Sequence, residues 1–211
     1  MNPYGASKKV FRRLIKFTPI MRKLSKQLIK RAAIELIKEK GLKEFTARNL
    51  GNKLGVTDAA IFKYFPSLRN LFEEILLDFI AECKQSFSSI ASSDLSPEEK
   101  LVKLLEAYEI RFMETNGAMP LLCFEISRMD DAGLRELIGD YWDFYLEKVE
   151  EIIEQGKREG VFREEVDPKT VGLMITGYFI AKALRNIVSG EPIEEGFSKK
   201  IADIILNGVK R

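Results

Sequence analysis

The twenty residues from Thr46 to Phe65, TARNLGNKLGVTDAAIFKYF, constrain the fold more than any other part of the chain. They read as two short helices joined by a tight turn. Thr46 and Thr57 stand at the two helix starts, where a hydroxyl accepts backbone N–H groups that lack a partner within the helix. Gly55 stands where the first helix must stop in a left-handed conformation, which glycine adopts without steric cost. Leu50, Leu54, Val56 and Ile61 supply one apolar side. Such a unit has the shape of a helix-turn-helix, whose second helix suits the major groove of DNA.

The charge distribution points the same way. No Asp or Glu precedes Glu35, whereas ten Lys and Arg lie between Lys8 and Arg31. Residues 1–70 hold 17 Lys and Arg against 4 Asp and Glu, a net of +13. The other 141 residues hold 17 against 28, a net of −11, so the overall +2 conceals a dipolar molecule. A basic end neutralises phosphates and releases counterions, while an acidic body is repelled by the duplex.

Absences prune the alternatives. The chain has no histidine, which excludes a Ser-His-Asp triad, a Cys-His pair and an HExxH zinc site. No phosphate-binding glycine motif occurs, and Gln155-Gly156-Lys157-Arg158 lacks the flanking residues of one. The adjacent carboxylates Asp130-Asp131, Glu164-Glu165 and Glu194-Glu195 point apart on a helix and read as helix-end or solvated charges. An enzyme, a cofactor and a metal are therefore not expected. Thr170 to Ala181 is the longest run without a charged residue, twelve in all, too short for a membrane span. Lys16 breaks the apolar part of the basic N-terminus, so no signal peptide is read and a cytoplasmic location is expected. Cys83 and Cys123 have no CxxC spacing and read as free thiols of a reducing compartment.

Periodicity and punctuation predict helices throughout. Leu24, Leu28, Ala32 and Leu36 recur every fourth residue up to Lys40, and Gly41 stops that helix. Ser67 caps a helix through Leu71, Phe72, Ile75, Leu76, Phe79 and Ile80. The Ser-rich stretch Ser86–Ser96 reads as a linker between two helical domains. Ser96-Pro97-Glu98-Glu99 opens a helix carrying Leu101, Leu104, Leu105, Tyr108 and Phe112, which stops near Asn116-Gly117. A short helix follows over Pro120 to Arg128. Leu134, Ile138, Tyr141, Tyr145, Val149 and Ile152 form one stripe of a long helix ending by Gly160, and Trp142, Leu146 and Ile153 form a second. Asp167-Pro168 starts another, to Ser189-Gly190, and a last spans Glu194 to Asn207. The expected architecture is all-α with about nine helices, plus a possible extra one at the N-terminus. The divisions are a basic extension (1–21), a helix-turn-helix domain (22–82) and a larger helical domain (83–211).

Ala32-Ala33, Leu36, Gly41, Phe45-Thr46, Leu50-Gly51, Gly55-Val56-Thr57, Ile61 to Phe65 and Leu71 together resemble the N-terminal domain of the TetR (tetracycline repressor) family. A looser resemblance covers Ile152 to Phe162 and Asp167-Pro168. The resemblance implies a homodimeric, all-helical transcription regulator, with a DNA-binding domain and an effector-binding domain. It implies a recognition helix at Asp58–Tyr64, capped by Thr57, with Asp58, Ala59, Ala60 and Lys63 facing the groove. Thr46 matches a phosphate-contacting hydroxyl, Arg48 a side chain reaching bases or backbone, and Lys63 and Tyr64 backbone-contacting positions. Three positions depart from the pattern. Phe62 replaces a tyrosine, Leu68 a lysine for which Arg69 is the candidate substitute, and Gly51 an alanine, at a cost of up to about 1 kcal/mol in helix propensity. Asp58 has two readings, an acceptor for a cytosine amino group or an acid favouring the helix dipole.

The partners expected from this reading are a double-stranded operator, a second copy of the chain and a small hydrophobic or aromatic effector, with no membrane. Two recognition helices must be presented about 34 Å apart along the duplex. Gly172, Thr176, Phe179, Ala183, Ile201, Ile204 and Ile205 are the candidate dimer face. Tyr108, Phe112, Met119, Phe124, Trp142, Tyr145, Met174 and Tyr178 are the candidate effector pocket, though each also suits plain core. The segment before Met21 reads as a DNA-side arm, a membrane-surface helix or an extension. The competing functions are a helical carrier of hydrophobic ligands with a vestigial DNA domain, and a DNA binder without effector.

Overall fold

The structure is a computed structural model that describes residues 24–127 and 130–210. The basic extension expected at 1–21 lies outside the described residues. Nine α-helices are present among them: α1 Lys26–Lys40, α2 Ala47–Leu54, α3 Asp58–Phe62, α4 Leu68–Ala91, α5 Pro97–Glu114, α6 Ala118–Ser127, α7 Ala132–Arg158, α8 Pro168–Ser189 and α9 Phe197–Val209.

The small N-terminal unit is written largely in its helix ends. Ser25, Thr46 and Thr57 cap α1, α2 and α3, their hydroxyl oxygens accepting from the N–H of Leu28 (3.2 Å), Asn49 (3.1 Å) and Ala60 (3.3 Å). Gly41 and Gly55 end α1 and α2 at φ 77° and 68°, where a side chain is strained. Ile29, Ala33, Leu36, Leu50, Ile61, Phe65, Leu71 and Ile75 form a core separate from that of the larger unit.

Helix α4 belongs to both cores. Its first turns bury Leu71 and Ile75 in the small unit, and Leu76, Ile80, Cys83 and Phe87 go into the large one. At 24 residues it is about 36 Å long. The stretch read as a linker from Ser86 is thus helical as far as Ala91. Its serines stay helical by returning their hydroxyls to the backbone, Ser86 to Glu82 O and Ser92 to Ser88 O, both 2.9 Å, while buried Phe87 anchors the turn. The chain reverses after Ala91, and Ser96 with Glu99 forms the expected capping box.

Helices α5 to α9 pack around α4 with several ends closed by distant residues. Buried Lys100 donates to Ala91 O (2.9 Å) and Gln155 Oε1 (2.8 Å), closing the C-terminus of α4. Buried Glu109 on α5 accepts from the backbone N–H of Phe197 (3.2 Å) and Ser198 (3.0 Å) and from the Ser198 hydroxyl. It supplies the cap that Gly196 cannot. A Cβ at Gly156 would fall 2.1 Å from the Phe162 ring, so glycine is what lets that ring dock against α7.

Helix α8 departs from expectation twice. By length and composition it is apolar enough to cross a membrane, with mean hydropathy 1.3 in its best window, because Lys182 interrupts the uncharged run without offsetting it. Its inner face holds Val171, Gly172, Ile175, Thr176, Phe179 and Ala183. Four of these positions, with two on α9, correct the expected dimer face. Gly172, Thr176, Phe179 and Ala183 on α8, with Ile201 and Ile205 on α9, are buried within the chain, and a Cβ at Gly172 would meet Leu146 at 2.6 Å. Of the seven named, Ile204 alone faces outward, 65% exposed.

Candidate nucleic-acid interface and effector cavity

Helix α3 turns Ile61 fully into the small core and leaves Thr57, Asp58, Ala59, Phe62 and Lys63 exposed, with Ala60 half-buried. Thr46 and Arg48, at the start of α2, are exposed as well. The oxygens of Thr46 and Thr57 accept their capping bonds and keep their O–H protons available to an acceptor such as phosphate. Arg48 and Lys63 form no ion pair with any described residue. Lys53, by contrast, is held by Glu39 (2.9 Å) and Glu35 (3.3 Å).

Three expected contacts change in the structure. Tyr64 donates its hydroxyl to Leu24 O at 2.6 Å, which ties α3 to the entry of α1 and removes that proton from a phosphate. Arg69 does not replace the missing lysine at 68. Its guanidinium forks onto Asp131 through Nε and Nη2 (2.9 Å for the latter) and reaches Glu73 at 2.7 Å. The third is Gly51. A Cβ there would lie 2.8 Å from Val56 O and 3.3 Å from Asp58 Oδ1, so α2 and α3 approach too closely for alanine. That position also shows the Asp58 carboxylate lying against α2, in the first turn of α3, where an acid favours the dipole.

The Arg69–Asp131 pair joins the two units. Asp131 is also the N-cap of α7, accepting from Leu134 N at 3.1 Å. The guanidinium beside it, with that backbone bond, holds its carboxyl down at about 2.

A cavity of about 30 Å³ lies inside the larger unit, enough for a few water molecules. Phe79, Cys83 and Phe87 line it from α4, Tyr108, Arg111 and Phe112 from α5, and Met119, Pro120 and Cys123 from α6. Tyr141 and Trp142 of α7 and Thr176 and Ile180 of α8 complete it. Burial pushes the Cys83 thiol up to about 11 and Cys123 up to about 12. It also raises the Tyr108 and Tyr141 phenols well above their ordinary value. All four are neutral near pH 7.

Of the expected pocket residues, Tyr108, Phe112, Met119 and Trp142 line the cavity. Tyr145 sits a layer behind, its ring against Phe87 and Tyr108 and its hydroxyl donating to Gly172 O at 3.4 Å. Met174 points outward, 55% exposed, because with Leu173 it falls between the inner-face pairs Val171-Gly172 and Ile175-Thr176 of α8. Tyr178 packs on Phe179 and Phe197 instead. The side chain of Phe124 lies outside the described set. The sequence carries a signal for three further lining residues: Phe79, Cys83 and Phe87 recur every fourth residue, on a helix that runs on into the Ser-rich stretch.

A short recognition-type helix with a free outer face, carried on a helical body around a cavity, defines a helix-turn-helix regulator. Residues 29–75 match the model for bacterial regulatory proteins of the tetR family, and residues 97–189 match a tetracyclin repressor-like C-terminal domain. The chain belongs to the TetR family of transcriptional regulators. It is similar to the nucleoid occlusion factor SlmA of Marinobacter nauticus, 27% identical over 146 residues, 69% of this chain and 72% of that protein. It is also similar to the HTH-type transcriptional repressor KstR2 of Mycolicibacterium smegmatis, 23% identical over 135 residues, 64% of this chain and 66% of that protein. Its fold is shared with the transcriptional regulator FadR of Bacillus subtilis, solved with stearoyl-CoA, at TM-score 0.69 and 18% identity over 87% of this chain and 99% of that one.

Proposed function

We propose that the chain binds a palindromic operator as a homodimer in the cytoplasm and represses until a small hydrophobic effector releases it. The observation that carries this reading is the outer face of α3. Thr57, Ala59 and Lys63 are exposed there, and the fold makes no other use of the Lys63 charge. A relative named as a repressor, KstR2, supports the direction of control.

The dimer face is the outer side of α8 and α9. Leu173, Met174, Leu184, Ile187 and Val188 on α8 and Ile204 on α9 are each 47% exposed or more. Leu173, Leu184, Ile187 and Val188 share one side of the helix at helical spacing. A stripe of this kind on a soluble regulator is covered by its symmetry mate.

The switch would run through α4. Ligand pockets typically occupy about 300–1,000 Å³, so an effector must push the walls of this smaller cavity apart. Phe79, Cys83 and Phe87 are on α4, and Cys123 is on α6, a short way before the Asp131 cap. Displacing either helix strains the Arg69–Asp131 fork and tilts the small unit. The effector shifts the equilibrium only by the difference in its affinity for the two arrangements. Fold neighbour FadR, solved with stearoyl-CoA, supports an apolar effector site in this architecture.

The test is selection of bound sequences from a random DNA pool. An inverted repeat with half-site centres about 34 Å apart, or a multiple of that, is expected. A pool that stays random, or yields a single unrepeated site, contradicts the proposal.

A further inference from the structure

We infer that the effector is uncharged: an aromatic compound whose carbonyl or similar acceptor takes the Tyr141 hydroxyl. This rests on the reading of the cavity as the effector site and adds the chemistry of what fills it.

The shape of the lining comes first. Among the described residues Phe79, Phe87, Tyr108, Phe112, Tyr141 and Trp142 give six aromatic side chains around one small space. Flat rings meet other flat rings well, in offset or edge contacts. A flexible aliphatic chain gains less from such walls and loses more freedom on entering them.

Charge comes second. Arg111 is the one charged side chain in the lining among the described residues, and it is already paired. Its Nη1 lies 2.5 Å from Glu82 and 2.8 Å from Glu114. The mouth therefore presents one positive charge between two negative ones. An anionic ligand that takes another donor of the guanidinium still sits beside both acids, which already balance that group's charge. A cationic ligand fares no better inside, since no Asp or Glu lines the cavity among the described residues. Burying either charge without a partner is costly. A neutral ligand avoids both penalties.

The polar groups inside fix where the ligand's own polar atom goes. Tyr141 and Cys83 line the cavity together, and a thiol sulfur is at best a weak acceptor for the phenol. A carbonyl oxygen is a stronger one, so exchanging thiol for carbonyl is favourable to the phenol and leaves no buried donor bare. Its raised pKa keeps the phenol a donor across the ordinary pH range. Thr176 and Tyr108 carry the other hydroxyls of the described lining; the Thr176 proton already goes to Gly172 O at 3.1 Å, and the Tyr108 ring is held against Phe87 and Phe179.

The probes are acetylnaphthalene, naphthoate, naphthylmethylamine and plain naphthalene, which share one ring system and differ in charge and acceptor. Binding is read by thermal shift and by release of the selected operator, for the full chain and for Tyr141→Phe. Acetylnaphthalene should bind at least about tenfold more tightly than naphthoate or the amine, and Tyr141→Phe should weaken it roughly tenfold. Naphthalene should bind the variant as it binds the native chain, which separates a lost hydrogen bond from a damaged cavity. Glu82→Gln and Glu114→Gln together should raise the affinity for naphthoate by freeing Arg111. Tighter binding of naphthoate than of the ketone overturns the inference, as does equal weakening of ketone and naphthalene by Tyr141→Phe. Failure of all four probes to bind overturns it too. Each of these leaves operator binding by the free protein intact. Loss of that binding is a different result and overturns the regulator reading itself.

Discussion

In the small unit each helix carries its own ends: Thr46 and Thr57 start α2 and α3, and Gly41 and Gly55 stop α1 and α2. In the large unit local caps at Ser96, Asp131 and Asp167 are joined by ends that other helices close. Glu109 on α5 starts α9, Lys100 closes α4, and the Phe162 ring fills the space that Gly156 leaves beside α7. The difference follows from what each unit must do. A reading head needs one exposed helix whose outer residues are unconstrained by the fold, so its stability must come from local caps and a small inner core. A body that encloses a cavity gains rigidity from long-range polar closures around it.

That contrast can be broken by mutation, and the largest effect belongs to the body. Glu109→Ala leaves three backbone N–H groups, of Gly196, Phe197 and Ser198, and the Ser198 hydroxyl without their acceptor. It should cost about 3 kcal/mol, a fall in Tm of roughly 6–12 °C for a chain of this size, measured by calorimetry. A change under a degree or two would mean that water takes over the cap.

Gly51→Ala comes next, in the head. Helix propensity alone makes alanine better by up to about 1 kcal/mol. The added Cβ, however, would lie 2.8 Å from the Val56 carbonyl, and backbone cannot swing aside. The net result should be destabilisation by about 1–2 kcal/mol. A stabilised variant would show that α2 and α3 can move apart.

Thr57→Ala should cost about 1 kcal/mol through its lost cap, with hydrogen exchange rising in α3 and unchanged in α9. Equal rises in both units would deny that the head is locally stabilised.

A smaller effect is expected in acid. Asp131 titrates at about 2 in the folded chain against an ordinary 3.8. Its depressed value means that its contribution is complete above about pH 4 and is lost as pH falls toward 2. Asp131→Asn should therefore flatten the acid limb of the stability profile over that window and leave the profile near pH 7 parallel to the native one. An unchanged acid limb would show that the Arg69 fork is dispensable to the fold.

The same contrast explains what could be read from the residues alone. Caps, glycine stops and apolar spacing are local, so α1, α2, α3 and both stripes of α7 were legible. Tyr64 and Arg69 were misassigned because their partners, Leu24 and Asp131, lie 40 and 62 residues away. The serines of α4 carry a turn signal, and the spacing of Phe79, Cys83 and Phe87 was the stronger clue beneath it. On α8 the small residues suggested a face for close approach, which it is, but toward Tyr145 and Leu146 of the same chain. The outward stripe begins at Leu173, one position on, and one residue rotates a helix by about 100°.

The most direct test concerns the head's outer surface, where stability effects should vanish and DNA effects should be greatest. Affinity for the selected operator is measured by fluorescence anisotropy across a salt series, for the native chain and for Arg48→Ala with Lys63→Ala. Tm should shift by less than about 0.5 kcal/mol in stability terms. Binding should weaken, and with two charges removed from each of two subunits the slope of log affinity against log salt should fall in magnitude by about 4. An unchanged slope and affinity in the folded double variant would mean that DNA, if bound at all, is bound elsewhere.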